Sequence, residues 1–423
     1  MTDILLTEAM KKERWQTAIE KAKIKDIDHS LLKSLCTPET RINIYNRIKN
    51  NNYSVMPPHE AQIPKDNGEF RIVYANEGID RVILSIFNDI IFEKCKDMIH
   101  PSCVSYQKGI GCGKVVQNVT RHIKNCQNNC IGIKADLSKY FDSVKIEYID
   151  KCFDEIEGRV GKSKIIDVLR EYYHMNFVFD LKNNLIEKYT SLRQGCAVAA
   201  FLADAVLYDI DQRLSSMEGI YYVRYSDDIL VIGENWQEAY KILAEMLKEK
   251  GLILNPKKVE ELYKDKWFKF LGFNIKGEMI TLSKNRVKTF QKEIEKRTTK
   301  TKSHSLHYLL NNVNNYLYKG AGDEGYCWAT NVLPIINVQK DINTLNEFVL
   351  DAIRGSVRKR TRIGGLGSVN NLSDKTIIRG KGRNVKKNRE NTEATIEGYY
   401  SLSCMQNALL TSRDLYNTLV AQL

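Results

Sequence analysis

Tyr225-Ser226-Asp227-Asp228 stands between two apolar runs, Ile220 to Val223 and Ile229 to Ile232, and reads as a tight hairpin with two adjacent carboxylates at its tip. Neighbouring carboxylates between strands repel each other and lose solvation unless a cation neutralises them. Hard oxygen ligands of this kind suit magnesium or manganese. Upstream, the strand-like run Ile131-Gly132-Ile133-Lys134-Ala135 delivers Asp136 at its end, followed by Leu137-Ser138-Lys139-Tyr140-Phe141-Asp142. Asp136, Asp227 and Asp228 together point to a two-metal phosphoryl-transfer site. Asp136 and Asp227 are the expected bridging ligands, Asp228 completes the site or tunes its field, and the Leu137 carbonyl adds a ligand where the chain turns. An Asp-Asp dipeptide alone is more often a solvated turn; the second strand-borne Asp and the Gln194-Gly195 segment between them are what change the reading.

With 423 residues, 43% hydrophobic and 27% charged, the chain has room for two or three domains and an ordinary globular composition. No apolar run approaches the length of a bilayer span. Met1 to Lys12 lacks the basic start and apolar centre of a signal peptide, so a cytoplasmic protein without a membrane segment is expected. Ten cysteines with no Cys-x-x-Cys pair argue against a zinc knuckle and for reduced thiols. His304 and His307 lack a nearby carboxylate or thiol and are assigned no metal. The net charge of +12 is concentrated: twelve Lys or Arg lie between Arg354 and Arg389, against the single acid Asp374. Six glycines share that stretch, which reads as a basic loop suited to a phosphate backbone, with Arg358, Lys359, Arg360 and Arg362 as candidate nucleic-acid contacts. A solvated charge run is the competing reading.

In order along the chain, the Asp136 segment, the Gln194-Gly195 loop and the Tyr225-Ser226-Asp227-Asp228 turn resemble motifs A, B and C of reverse transcriptases. The resemblance covers about 60 to 280 and implies an α+β right-hand polymerase fold of fingers, palm and thumb, here with a helical, basic C-terminal extension. It also implies RNA-templated DNA synthesis from deoxynucleoside triphosphates. Phe141 would lie under the sugar of the incoming nucleotide, where a bulky ring excludes a 2′ hydroxyl; a core aromatic is the alternative. Gln194 and Gly195 would approach the template and the nascent pair. Lys258, in Gly251-Leu252-Ile253-Leu254-Asn255-Pro256-Lys257-Lys258, falls at the motif D lysine that protonates pyrophosphate. Leu271 and Gly272, in Phe270-Leu271-Gly272-Phe273, fall in the primer-gripping hairpin of motif E, with Tyr225 also facing primer or template. Lys65 and Arg71, on the hairpin Ile63 to Val73, would hold the triphosphate, Lys as a point charge and Arg as a bidentate fork.

Ala199 and Ala200 stand where group II intron and retron enzymes usually carry Ser-Pro, and Asp204 where they commonly carry Asn. With no recognisable endonuclease, the chain looks most like the defence-associated, abortive-infection-type enzymes among bacterial non-LTR reverse transcriptases. Those pair with a cognate noncoding RNA and act against phage. A retron or intron enzyme, an RNA-dependent RNA polymerase and a catalytically idle RNA-binding scaffold stay open as alternatives.

Four regions are expected: an N-terminal helical region over 1–55, whose spacing is set by Leu31, Leu32, Leu35, Ile42, Ile44 and Ile48; fingers and palm over 56–282; a helical thumb over 283–353; and the basic extension over 354–423. Helices are expected near 80–94, 285–298, 305–318 and 338–354, and from about 394 to the end.

Overall fold

Short, largely buried apolar runs set the central strands over Cys130–Asp136, Tyr221–Tyr225 and Asp228–Ile232. In the computed structural model, which describes residues 2–23, 37–65, 68–76, 78–107, 109–299, 306–319, 327–357 and 399–423, the chain folds as two units. The first comprises Met1–Lys108 and Ile131–Glu261, the second Gly109–Cys130 and Leu262–Leu423.

In the first unit, strands β1 (His59–Pro64) and β2 (Phe70–Ala75) form the expected antiparallel hairpin, paired from His59 with Ala75 to Pro64 with Phe70. Asp66 and Asn67 at its tip lie outside the described residues, as do Leu31, Leu32 and Leu35. Strand β3 is Cys130–Asp136. A second hairpin, β4 (Phe177–Phe179) with β5 (Leu185–Glu187), extends the first sheet to the order β2-β1-β4-β5. β1 and β4 run parallel there. Strands β6 (Tyr221–Tyr225) and β7 (Asp228–Ile232) pair antiparallel, and β7 pairs antiparallel with β3. The segment Glu260–Tyr263, β8, carries the chain from one unit into the other.

The core of this unit is built on the helix Gly78–Lys94, whose Val82, Ile83, Leu84, Ile86, Phe87, Ile90 and Ile91 are all buried. Each such side chain contributes roughly 1.5–3 kcal/mol on leaving water. Its N-terminal Asp80 accepts hydrogen bonds from the Tyr53 hydroxyl and from the Met56 N–H, the latter at 2.8 Å. Negative charge at that end of a helix meets the positive end of the macrodipole. The N-terminal helices Ile4–Ala9, Lys12–Lys23 and Pro38–Lys49 belong to the same unit, the last started by Thr37 as N-cap and Pro38 in the first turn.

In the second unit, β9 (Phe268–Phe270), β10 (Phe273–Lys276) and β11 (Met279–Leu282) form a three-stranded antiparallel meander. The expected helices follow as Lys284–Thr299, Leu306–Asn314 continuing into a π turn over Asn315–Lys319, Gln339–Val357, Leu402–Thr411 and Arg413–Gln422. A short helix, Trp328–Val332, was not expected. The helix Cys112–Asn125 joins this unit: Gln117 Nε2 donates to the Pro334 carbonyl at 3.0 Å, and Gly113 faces the Ile335 side chain. Packing therefore groups 109–130 and 262–282 with the C-terminal helices, where the sequence alone had grouped them with 56–282.

The fold class is α+β, as the sequence implies. Among the described residues no helix is long and apolar enough to cross a membrane.

Candidate active site

The register of one strand pair brings the carboxylates together. Asp136, the last residue of β3, lies directly opposite Asp228, the first residue of β7, and Tyr225 at the end of β6 lies opposite Asp228 on the other side. Residues opposite each other in an antiparallel ladder share a face, with Cβ atoms about 5 Å apart. Asp227 occupies the two-residue turn between β6 and β7, and its carbonyl accepts the Leu137 N–H at 3.1 Å. That bond ties the turn to the point where the chain leaves β3. Leu137 itself is buried.

Ser226, the first turn residue, has φ +56, the left-handed region that suits glycine. Its amide donates to Ser105 Oγ at 3.0 Å and its carbonyl accepts from Arg224 Nη1 at 3.1 Å, so both backbone groups of the strained residue are held.

Burial pushes the Asp227 carboxyl above the ordinary carboxylate range; the neighbouring Asp136 carboxylate adds to this, while Lys258 and Arg71 pull it back. Asp228 is likewise raised by burial, with Lys134 opposing and Asp227 and Asp136 adding to the rise. Arg71 lies on the exposed part of β2 yet acts on Asp227, which links the β1–β2 hairpin electrostatically to the acidic turn. Lys65, also exposed, pairs with Glu69 at 3.2 Å across the hairpin.

Lys258 meets Asp136 directly. Its Nζ lies 2.7 Å from Asp136 Oδ2, with the lysine side chain 57% exposed and the aspartate 9%. The segment before it is laced to the end of β3: the Ser138 N–H donates to the Ile253 carbonyl at 2.8 Å and the Asn255 N–H to the Asp136 carbonyl at 2.8 Å. Asn255 then caps the short 3-10 turn Pro256–Lys258, which sets the lysine beside the acid.

Phe141 is half-buried in the helical turn Tyr140–Ser143, five residues after Asp136, and its carbonyl accepts the Leu192 N–H at 3.0 Å. This bond joins the Asp136 segment to the loop that carries Gln194 and Gly195. The Gln194 carbonyl accepts the Tyr74 N–H at 2.7 Å. Gly195 has φ +115, and a Cβ there would stand 2.8 Å from the Tyr74 carbonyl oxygen, so glycine is needed both for the conformation and for the approach. The helix Ala199–Ala205 follows, and its small residues admit Tyr140, whose hydroxyl donates to the Ala203 carbonyl at 2.6 Å.

Leu271 and Gly272, both at positive φ, form the two-residue turn between β9 and β10 in the second unit. The Gly272 carbonyl accepts the Ser283 N–H at 3.1 Å. Arg358, Lys359, Arg360 and Arg362 lie outside the described residues, as does His304, while His307 Nε2 is 3.1 Å from Asn311 Nδ2.

The donor set fits a divalent cation in its chemistry: hard oxygens whose ionisation is opposed by burial and by each other, so that added positive charge relieves the site. The side chains do not form a ready-made cage. Among the described residues no three Asp, Glu, His or Cys side chains converge as ligands, and Asp136 has one oxygen on Lys258.

Sequence reasoning missed the cluster beneath the turn. Arg224, which directly follows the apolar run of β6, is completely buried and pairs with Asp211 through Nε at 2.8 Å and Nη2 at 2.6 Å. Asp204, in the otherwise apolar run Ala199 to Val206, is also fully buried. A charged residue at a core position in each of two apolar segments was the available signal, since buried charges occur in pairs.

No curated protein matches the chain. Among solved structures, telomerase from Candida tropicalis in complex with a TWJ fragment of telomeric RNA is similar over 76% of this chain and 58% of that one, with 14% identity and a TM-score of 0.45. Apo telomerase from Candida tropicalis is similar over 75% of this chain and 62% of that one, with 13% identity and a TM-score of 0.42. Telomerase from Candida albicans in complex with a TWJ fragment is similar over 63% and 53%, with 12% identity and a TM-score of 0.40. The chain spans between 53% and 62% of the length of these telomerases. The family model described as reverse transcriptase (RNA-dependent DNA polymerase) matches residues 63–275, half of the chain, and the chain belongs to that family.

Proposed function

We propose that this chain copies RNA into DNA by two-metal phosphoryl transfer at Asp136, Asp227 and Asp228, on a cognate noncoding RNA in a bacterial antiphage system. The observation that supports the chemistry is the register: Asp136 opposite Asp228, with the Asp227 carbonyl bonded to the Leu137 N–H. Magnesium or manganese held by the three carboxylates, with the Leu137 carbonyl, would supply activation of a primer 3′ hydroxyl and charge neutralisation on a nucleoside triphosphate.

The remaining roles fall to the chain's own groups. Lys258, exposed and 2.7 Å from Asp136 Oδ2, would deliver a proton to departing pyrophosphate. Arg71 and Lys65 bring positive charge to the triphosphate from the β1–β2 hairpin. The Phe141 ring discriminates against a 2′ hydroxyl by steric exclusion. Gln194 and Gly195 present backbone to the template, and Tyr225, Leu271 and Gly272 contact primer or template. Arg358, Lys359, Arg360 and Arg362 track the phosphate backbone. The departures at Ala199, Ala200 and Asp204 from the intron and retron pattern support the defence assignment.

Primer extension on an RNA template with an annealed DNA primer tests the chemistry. Deoxynucleotide incorporation that requires a divalent cation and disappears in an Asp227→Ala plus Asp228→Ala variant is expected. Ribonucleotide incorporation exceeding deoxynucleotide incorporation would establish an RNA polymerase instead, and undiminished function of the double variant would leave an RNA-binding scaffold. Sequencing the nucleic acid that co-purifies with the chain distinguishes a cognate noncoding RNA from an intron or retron RNA, and phage plating with and without the active-site carboxylates tests defence.

A further inference from the structure

The Ser226-Asp227 turn rests on a buried polar cluster that the chemistry above does not use. The Arg224 guanidinium makes four hydrogen bonds there: Nε and Nη2 to Asp211 at 2.8 and 2.6 Å, Nη2 also to the Asp204 carbonyl at 2.9 Å, and Nη1 to the Ser226 carbonyl at 3.1 Å. Ser105 closes the cluster from the other side. Its hydroxyl donates to Asp204 Oδ1 at 2.6 Å and accepts the Ser226 N–H at 3.0 Å. The Arg224 backbone is fixed by the same segment, its N–H donating to the Ser102 carbonyl at 3.0 Å and its carbonyl accepting the Val104 N–H at 2.9 Å.

Two features separate this cluster from general core stabilisation. It carries two carboxylates for one guanidinium, and Asp204 Oδ2 has no hydrogen-bond partner among the described residues. Burial accordingly pushes the Asp204 carboxyl up to about 6. Buried ion clusters are poor sources of stability compared with apolar residues of the same volume. This one directs two of its bonds, one from Arg224 Nη1 and one to Ser105 Oγ, to the backbone of Ser226, the residue that holds a left-handed conformation between Tyr225 and the two carboxylates.

Resting on the assignment of Asp136, Asp227 and Asp228 as the cation-binding carboxylates, we propose that Arg224, Ser105 and Asp204 are positioning residues that hold Ser226 in its left-handed conformation and thereby set where Asp227 and Asp228 stand relative to Asp136. They touch no reacting atom; they act through the turn.

Ser105→Ala removes one hydroxyl and no charge, and Asp204→Asn keeps the shape and the acceptor for Ser105. Ser105→Thr restores the hydroxyl. Each is compared with the parent for manganese affinity of the nucleic-acid-free protein by electron paramagnetic resonance, for the magnesium midpoint of primer extension, for primer–template affinity and for thermal unfolding. Ser105→Ala is expected to weaken manganese binding and raise the magnesium midpoint about tenfold, the low end for loss of a group behind a metal ligand. Primer–template affinity should be unchanged, and Ser105→Thr should recover most of the metal affinity. Asp204→Asn should shift both metal readouts in the same direction by less, and it carries the test if Ser105→Ala does not fold.

Unchanged metal affinity and midpoint in both variants, with any activity loss tracking the melting temperature, would make the cluster merely structural and overturn the proposal. An Asp227→Asn control separates the two levels. If it synthesises DNA like the parent, the carboxylate assignment fails and the proposal with it. If it is inactive while Ser105→Ala and Asp204→Asn keep parental metal behaviour, only the positioning role falls.

Discussion

Replacing Asp228 with asparagine is expected to stabilise the metal-free protein while abolishing its chemistry. Asp228 stands opposite Asp136 and next to Asp227; burial raises its carboxyl, and the two other carboxylates raise it further against Lys134 and Lys258. With Cβ atoms about 5 Å apart, two unit charges at an effective dielectric of about 20 repel by roughly 3 kcal/mol. The ammonium of Lys258 on Asp136 and partial solvation cancel part of that, which leaves about 1–2 kcal/mol to be recovered by a neutral side chain. For a unit of this size that corresponds to a melting shift of roughly 2–6 °C. The pH dependence has a fixed sign. Because the folded pKa lies above the unfolded one, the folded state binds more protons between the two values, so stability falls as pH rises from the ordinary carboxylate value of 3.8 through the raised folded value. Asparagine escapes that fall, so its advantage is complete near neutral pH and shrinks as the pH is lowered into the carboxylate range. Thermal and urea unfolding in chelator, at about pH 7.5 and about pH 5, read the effect. Magnesium should then stabilise the parent more than the variant, since a cation that binds only the folded state adds its binding energy to stability. A variant less stable than its parent in chelator at neutral pH, or an advantage that does not change with pH, would refute mutual repulsion at this turn.

Gly195→Ala places a Cβ 2.8 Å from the Tyr74 carbonyl oxygen at φ +115, and a loss of at least about 1–3 kcal/mol in chemical denaturation is expected; a neutral substitution would show that the loop yields freely. Phe141→Ala leaves the backbone bond to Leu192 intact and should lower the deoxynucleotide over ribonucleotide preference in kcat/KM by about 10–100-fold, whereas an unchanged ratio would return Phe141 to the core. Burial pushes the thiols of Cys95, Cys103 and Cys152 up to about 11, 12 and 12, while Cys404 is exposed. Alkylation near pH 8 followed by peptide mass spectrometry should therefore label Cys404 first and spare the other three until denaturation; Cys152 reacting as fast as Cys404 would contradict its burial.

The β6–β7 hairpin was legible because each strand announces itself locally, as an apolar run with a polar pair at its end, and the same holds for β3 and the helix Gly78–Lys94. The hairpin of Phe177–Phe179 with Leu185–Glu187 was not read. Its strands are three residues each and carry exposed Phe177 and Leu185, so no alternating pattern develops, and what orders it is parallel pairing with His59 in a distant strand. The grouping of 109–130 with the C-terminal helices escaped for a related reason, since the bond from Gln117 to Pro334 spans over two hundred residues of sequence and leaves no local trace.

The same distinction explains the unequal legibility of the site. Asp136, Asp227 and Asp228 could be chosen because acids at strand ends are costly without a partner cation, and because two such segments flank Gln194-Gly195 in an order that resembles reverse transcriptases; the Asp-Asp pair alone reads as a solvated turn. Lys258 could be placed only by resemblance; what sets it beside Asp136 is the lacing of Ile253 and Asn255 to the end of β3, a backbone contact between segments more than a hundred residues apart. Arg224 was the converse case. Its charge sat in plain view between Val223 and Tyr225, and Asp204 sat among alanines and leucines, so each broke the apolar pattern of its own segment. Taken singly, such a residue reads as an exposed charge at a strand edge or helix face. Taken together, two opposite charges at core positions of neighbouring segments imply one another, because neither can be buried alone without a penalty of several kcal/mol. Violations of the hydrophobic pattern that occur in complementary pairs thus carry contact information that the pattern itself lacks. Here the pair lies directly beneath the turn on which the acidic residues depend.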